Sequence, residues 1–288
     1  MIPHFSNLLS RPLAISEAGA KHLRSLAINQ ANQAQFALAL NKIDPKSGCF
    51  EYDYLGNEIQ EPEDLCDGVR MIPLYGPITR GLGRMGQYFG MADTDRFSKW
   101  INEATADNTV STIALHIKSP GGDAIGCFEA AQLVKDASKV KPVIVFCDDM
   151  MASAAYFIGA GATAIFASPS SLIGSVGTYV LLTDDSEAWK KMGVEFIVVR
   201  SGKYKGSGLD GYSQEQIDNI QKMVDSFGAQ FRGFVSANRP SIQESDMEGQ
   251  VFLGGEASQN GFVDGIANSL MYSLDEYKRV SQVAMYKF

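Results

Sequence analysis

Ser153 lies in Met150-Met151-Ala152-Ser153-Ala154-Ala155-Tyr156, directly after an apolar run at 142–147 and at the head of a run of small residues. A serine placed there projects from the C-terminal edge of a sheet, where α/β proteins build their sites. The dipole of a following helix favours an alkoxide at that point. The same position also suits a helix N-cap serine. A second segment, Ser119-Pro120-Gly121-Gly122, follows another apolar run and opens a predicted helix. Proline fixes the exit from the strand, and the glycines let the backbone turn with its amides exposed. Amides so placed can bind a developing oxyanion, although an ordinary βα turn has the same composition. Gly174-Ser175-Val176-Gly177 could bring a hydroxyl and a close-running backbone to the same region, or serve as a turn into a strand.

A serine hydroxyl needs a base to become a nucleophile. The chain has three histidines, His4, His22 and His116. The first two lie in the N-terminal arm, and His116 falls inside an apolar run, where a core or sheet-face role fits. Lysine is the remaining base, and Lys203 and Lys205 stand in Ser201-Gly202-Lys203-Tyr204-Lys205-Gly206-Ser207-Gly208. A lysine base must be neutral, which requires burial to pull its pKa down. A Gly- and Ser-rich loop can turn a lysine inward, whereas most lysines stay solvated.

The elements that must position these residues alternate. Residues 69–78 (VRMIPLYGPI), 112–117 (TIALHI), 142–147 (PVIVFC), 163–167 (TAIFA), 176–182 and 195–199 read as strands. Residues 95–106, 125–137, 152–161 and 185–192 read as helices. Ser213 with Gln216 three residues on forms a capping box for a long helix reaching about residue 238. Strands alternating with helices predict an α/β fold of repeated βαβ units with a mostly parallel sheet. The strands are continuous apolar runs, as expected when helices cover both faces. Residues 1–66 are expected to form an N-terminal arm, helical over 16–40 and linker-like over 44–67, with the main domain at 67–288.

The 288 residues are 45% apolar and 20% charged, enough to bury a sizeable core. The net charge of −8 argues against binding to nucleic acid or anionic membranes, which needs basic patches. Four cysteines without CxxC spacing give neither a disulfide framework nor a zinc site, so no metal or cofactor is expected. The N-terminus lacks the form of a signal peptide, and no window has the uninterrupted apolar length of a membrane anchor. A cytoplasmic location is therefore expected.

Taken in order, IPLYGPI, SPGG, ASAAY, GSVG, SGKYKG and GQVFLGGEASQNGFVDGI resemble peptidase family S49, the signal peptide peptidase A family, within the Clp/crotonase superfamily. The resemblance covers roughly residues 69–267 and implies a Clp/crotonase-like fold. It implies a serine endopeptidase with a Ser–Lys dyad: Ser153 as nucleophile, Lys205 rather than Lys203 as general base, and Ser175 as the hydroxyl that orients the lysine. It assigns the oxyanion hole to the backbone N–H groups of Gly121 or Gly122 and of Ala154. Family members usually carry Gly-Gly after the nucleophile. Ala154-Ala155 narrows backbone freedom here without removing an amide. The segment Leu8-Leu9-Ser10-Arg11-Pro12-Leu13-Ala14-Ile15 resembles the start of soluble phage and prophage members. That branch implies processing of scaffold or capsid proteins during head assembly, in the host cytoplasm or prohead. The cellular branch, which degrades signal peptides, is the alternative. The family also implies a ring-shaped homo-oligomer.

Two further readings compete. A crotonase-type acyl-CoA enzyme shares the oxyanion glycines but uses acidic residues and CoA, which the pairing of Ser153 with Lys205 opposes. A non-catalytic capsid or portal protein could retain the fold, but no residue of the catalytic set is missing.

Overall fold

The apolar runs at 69–75, 112–118 and 143–147 become neighbouring parallel strands, since each is apolar on both faces and needs cover above and below. The computed structural model describes residues 13–15 and 58–285; the predicted helix at 16–40 lies outside them. In chain order the elements are β1 (Leu13–Ile15), β2 (Glu63–Asp64), β3 (Val69–Tyr75), β4 (Ile78–Thr79), α1 (Gly83–Tyr88), β5 (Ala92–Asp93), α2 (Thr94–Ala106), β6 (Thr112–Lys118), β7 (Gly121–Asp123), α3 (Cys127–Ser138), β8 (Val143–Cys147), β9 (Met150–Ala152) and α4 (Ala154–Gly159). They continue with β10 (Ala164–Ala167), β11 (Leu172–Gly174), α5 (Ser186–Lys191), α6 (Gln214–Asn238), β12 (Val251–Leu253), α7 (Gly254–Gln259), β13 (Gly265–Ile266) and α8 (Leu270–Met285).

The main sheet has the order β13-β10-β8-β6-β3-β2, parallel throughout except for β2 on β3. A short sheet β12-β11-β9 and a second one, β1-β7-β4-β5, extend from its C-terminal edge. This is a mixed α/β fold with a mostly parallel sheet, as the alternation of runs predicts. One face of the main sheet packs on α2, α3 and α4 through Phe97, Ile101, Ala130, Val134 and Ile158, all buried. The other face, with Met71, Ala114, Ile144 and Phe146, is covered by Leu274 of α8. The capping box forms as read: the Gln216 amide donates to Ser213 Oγ, and the Ser213 amide donates to Gln216 Oε1.

Three expectations change. The run at 69–78 is two strands, because Gly76 at φ 80° turns the chain out of the main sheet. The SPGG turn opens the strand β7 rather than a helix, and α3 begins only at Cys127. Gly122 packs so closely on β4 that a Cβ there would stand 1.9 Å from the Ile78 carbonyl oxygen. The runs at 176–182 and 195–199 form no strand beyond an isolated bridge at Tyr179. Ile197 is 85% and Val199 95% exposed, while Phe196 packs edge-on against Trp189, so the second run is only partly covered among the described residues.

Gly76 and Gly81 separate two costs. Both have positive φ, but a Cβ on Gly76 would lie 1.9 Å from the Gly90 carbonyl oxygen, whereas one on Gly81 meets nothing within 4 Å. Gly81→Ala should cost about 1–2 kcal/mol from backbone strain alone. Gly76→Ala should cost roughly 3 kcal/mol or more. Denaturant melts that rank the two variants equally would contradict this packing.

Candidate active site

Strand β6 ends where two loops meet. The Ser119 amide donates to the Met150 carbonyl (2.7 Å), and the Ala152 amide donates back to the Ser119 carbonyl (3.1 Å). This pairing carries the chain from β9 directly into Ser153. There the backbone takes φ 54° and ψ −121°, a region that L-residues other than glycine seldom enter. Such a conformation costs about 1–3 kcal/mol and persists only where its surroundings enforce it. Here the Ser153 amide is tied to the Gly174 carbonyl (2.8 Å), and the Ser153 carbonyl accepts from the Phe157 amide (2.9 Å). Tyr156, fully buried, anchors α4 by donating its hydroxyl to the Phe262 carbonyl (2.9 Å).

Ser153 occupies the N-cap position of α4 but makes no side-chain capping hydrogen bond. The N-cap reading therefore does not account for its hydroxyl. A strand, a strained serine and a helix together place Ser153 in a tight turn at the sheet edge. Ser175 is the next residue along the neighbouring strand: Gly174 pairs with Ala152, so Ser175 stands abreast of Ser153. It too has positive φ, at 55°, held by its amide donating to the Gln250 carbonyl (2.6 Å). Both serines line a cavity of about 360 Å³ with Gly177, Thr178, Asp225 and Arg232.

The oxyanion candidates do not line this cavity and are in different states. Ala154 is the first residue of α4 and directly follows Ser153. The Gly121 amide donates to the buried Ser119 hydroxyl at 3.2 Å, so it must exchange partners to receive an oxyanion. The sequence reading missed this Ser119 contact, which only the tight turn at Gly121 (φ 92°) creates.

The lysines are elsewhere. Lys205 is exposed on the 200–211 loop, with its amide on the Gly202 carbonyl, and does not line the Ser153 cavity. Lys203 is paired with Glu215, and that hydrogen bond holds its ammonium above the ordinary lysine range. A base must move the other way, so the geometry disfavours Lys203 for that role.

His116 is on the sheet face, as its position in an apolar run predicts, and belongs to a network that the sequence reading did not assemble. The Tyr75 hydroxyl is 2.7 Å from His116 Nδ1, His116 Nε2 is 3.0 Å from Asp148 Oδ1, and Lys118 Nζ is 3.2 Å from Asp148 Oδ2. Burial pushes the Tyr75 phenol up to about 12, so it stays protonated and donates. The carboxylate of Asp148 only accepts, so Nε2 carries the imidazole proton and Nδ1 accepts from Tyr75. The period-2 spacing of His116 and Lys118 on one strand was the available signal. The network ties the β6 end, which leads into the SPGG turn, to the loop that leads into Ser153. A larger, more apolar cavity of about 460 Å³, lined by Leu74, Met91, Phe97 and Trp100, contains none of the sequence-predicted site residues.

Burial holds His116 below its ordinary range, although the hydrogen bond to Asp148 pulls the other way. Below about pH 6.5 the unfolded chain therefore binds a proton that the folded chain resists. The stability contributed by neutral His116 should fall as pH drops from 7 toward 5. Burial raises the Asp148 pKa, but the His116 and Lys118 contacts outweigh it and leave it lowered. Asp148 therefore adds its own loss only below about pH 4. Denaturation midpoints of His116→Gln should be flatter between pH 7 and 5 than those of the unmodified chain. Equal slopes would contradict the network.

Among the described residues, no helix is long and apolar enough to cross a membrane, and no cluster of metal-binding side chains is present. The chain is 28% identical over 207 residues to the capsid assembly protease C of Escherichia phage lambda, covering 70% of this chain and 47% of that protein. It is 27% identical over 213 residues to the head-tail preconnector protein GP5 of Enterobacteria phage P21, covering 73% and 42%. Protease 4 of Haemophilus influenzae is 30% identical over 182 residues, covering 62% and 30%. The chain thus spans less than half the length of each of these three relatives. A solved enoyl-CoA hydratase from Shewanella pealeana overlaps 77% of the chain and 74% of its own at 11% identity, with a TM-score of 0.45, too loose a likeness to bear on function. A sequence model of peptidase family S49 matches residues 135–280, just over half of the chain and the part that holds Ser153, Ser175 and Lys205. The chain belongs to peptidase family S49.

Proposed function

We propose that this protein is a serine endopeptidase with Ser153 as nucleophile and Lys205 as general base, acting on scaffold or capsid proteins during phage head assembly. The observation that carries the reading is the strained, uncapped Ser153 at the meeting of β6, β9 and α4. The phage setting rests on the two phage relatives, and the location would then be the host cytoplasm or the prohead. In the reaction, Ser153 Oγ attacks the scissile carbonyl while Lys205 Nζ takes its proton. Amides of Ala154 and of Gly121 or Gly122 receive the oxyanion. Collapse expels the amine, which takes the proton back from Lys205, and water then hydrolyses the acyl-enzyme. Ser175 orients the lysine.

A single chain leaves this site incomplete, because Lys205 is exposed on its loop. A neutral lysine near pH 7 needs its pKa lowered by about 2–3 units, or roughly 3–4 kcal/mol. A homo-oligomeric ring supplies the missing wall. Phe196, Ile197 and Val199 are exposed just before the lysine loop, and a neighbouring copy that covers them would also desolvate Lys205.

Ser153→Ala should fold normally and lose peptidase activity by roughly three orders of magnitude or more. Lys205→Arg should be nearly as inactive as Lys205→Ala, since guanidinium stays protonated, while Lys203→Ala keeps most activity. The pH profile should rise along one basic limb. New termini found by mass spectrometry after incubation with scaffold and capsid proteins test the substrate class. An active Ser153→Ala, or an active Lys205→Arg, would sink the dyad.

Light scattering should show assemblies of several copies. Ile197→Glu with Val199→Glu should give monomers of much lower activity. Fully active monomers would contradict the role given to assembly.

A further inference from the structure

Strand β7, which emerges from the SPGG turn, has two backbone edges. One is paired with β4, with Ile78 abreast of Gly122. That edge is closed: a Cβ on Gly122 would stand 1.9 Å from the Ile78 carbonyl oxygen and 2.5 Å from its nitrogen. The other edge is occupied by β1 from the N-terminal arm, antiparallel, with Leu13 opposite Asp123, Ala14 opposite Gly122 and Ile15 opposite Gly121. β1 is the outermost strand of that sheet. An extended peptide that offers a carbonyl to the turn's amides must add itself to an edge of β7. The edge it needs already carries a piece of this same chain.

The register makes the placement specific. Ser119 bridges Met151 in parallel, which sets the start of the SPGG turn beside the strand that leads into Ser153. Ile15 is opposite Gly121. β1 therefore runs toward the turn, with Ile15 at the Gly121 end of β7. Ser153 is only 1% exposed.

We propose that residues 13–15 are a built-in pseudosubstrate: the arm strand fills the substrate edge of β7 and must leave before another peptide is cleaved. This rests on the peptidase reading above. A tethered strand competes at an effective concentration on the order of millimolar, enough to hold off micromolar substrates.

The test uses the full chain with Leu13→Pro and Ala14→Pro together. Alternate residues of a strand turn their amides toward one neighbour, so two consecutive prolines remove a ladder donor in either phase. A fluorophosphonate probe should modify Ser153 roughly tenfold faster in the variant. KM for a fluorogenic peptide should fall with kcat little changed, and a synthetic peptide of residues 10–18 should inhibit the variant competitively. Unchanged labelling and KM in a folded variant would overturn the proposal, as would failure of the peptide to inhibit. A variant that no longer folds would make β1 a structural strand and also overturn it. Cleavage of the unmodified chain between Ile15 and Ser16 would convert the occupant into a substrate and do the same. Absence of Ser153 labelling in both proteins would instead remove the peptidase reading itself.

Discussion

The left-handed backbone at Ser153 is the constraint on which the rest of the site depends. A serine at φ 54° is stable only if every neighbouring strand is fixed, and each of its neighbours is. β9 is pinned to the end of β6 by the Ser119 pairing, and β11 is pinned to β9 by three paired residues. Helix α4 is locked into the core by Tyr156. Loss of any of these would let the chain relax to an ordinary N-cap and turn the hydroxyl inward. The local sequence, rich in alanine, would not select this conformation by itself; the surrounding pairings hold it.

The parallel sheet explains why the chemistry gathers where it does. β3, β6 and β8 all end at the same edge, and the loops leaving β6 and β8 lie side by side. One loop carries the SPGG amides and the other carries Ser153. The Tyr75–His116–Asp148–Lys118 network ties these two loops together on the α8 side of the sheet. A histidine therefore takes part in the architecture of a site whose proposed base is a lysine. That division follows from geometry, since His116 is fixed on the sheet between Tyr75 and Asp148, both of which satisfy its nitrogens.

Much of this was legible in the residues. Continuous apolar runs specify buried parallel strands, and 112–117 and 142–147 appear as β6 and β8 with boundaries nearly as read. The Ser213–Gln216 box placed the start of α6 because capping is a local interaction. What failed was non-local. The break at Gly76 comes from the close approach of Gly90, fourteen residues away in sequence. The strand after SPGG depends on Ile78, and among the described residues the runs at 176–182 and 195–199 form no strand beyond the bridge at Tyr179, since strand propensity needs a pairing edge to be realised. Ser153 and Ser175 line one cavity because the parallel β9–β11 register ends beside both, whereas Lys205 lies on an exposed loop outside that cavity.

The central claim is that Ser153 Oγ and the amides beside it form one catalytic turn. A crystal structure of the assembled protein reacted with a peptide boronate would test it directly. The account predicts a covalent bond from boron to Ser153 Oγ, a boronate oxygen within about 3 Å of the Ala154 and Gly121 or Gly122 amides, and Lys205 Nζ within hydrogen-bond reach of Ser153. Boron attached to another residue, or a Ser153 adduct whose oxygen faces away from both sets of amides, would contradict it.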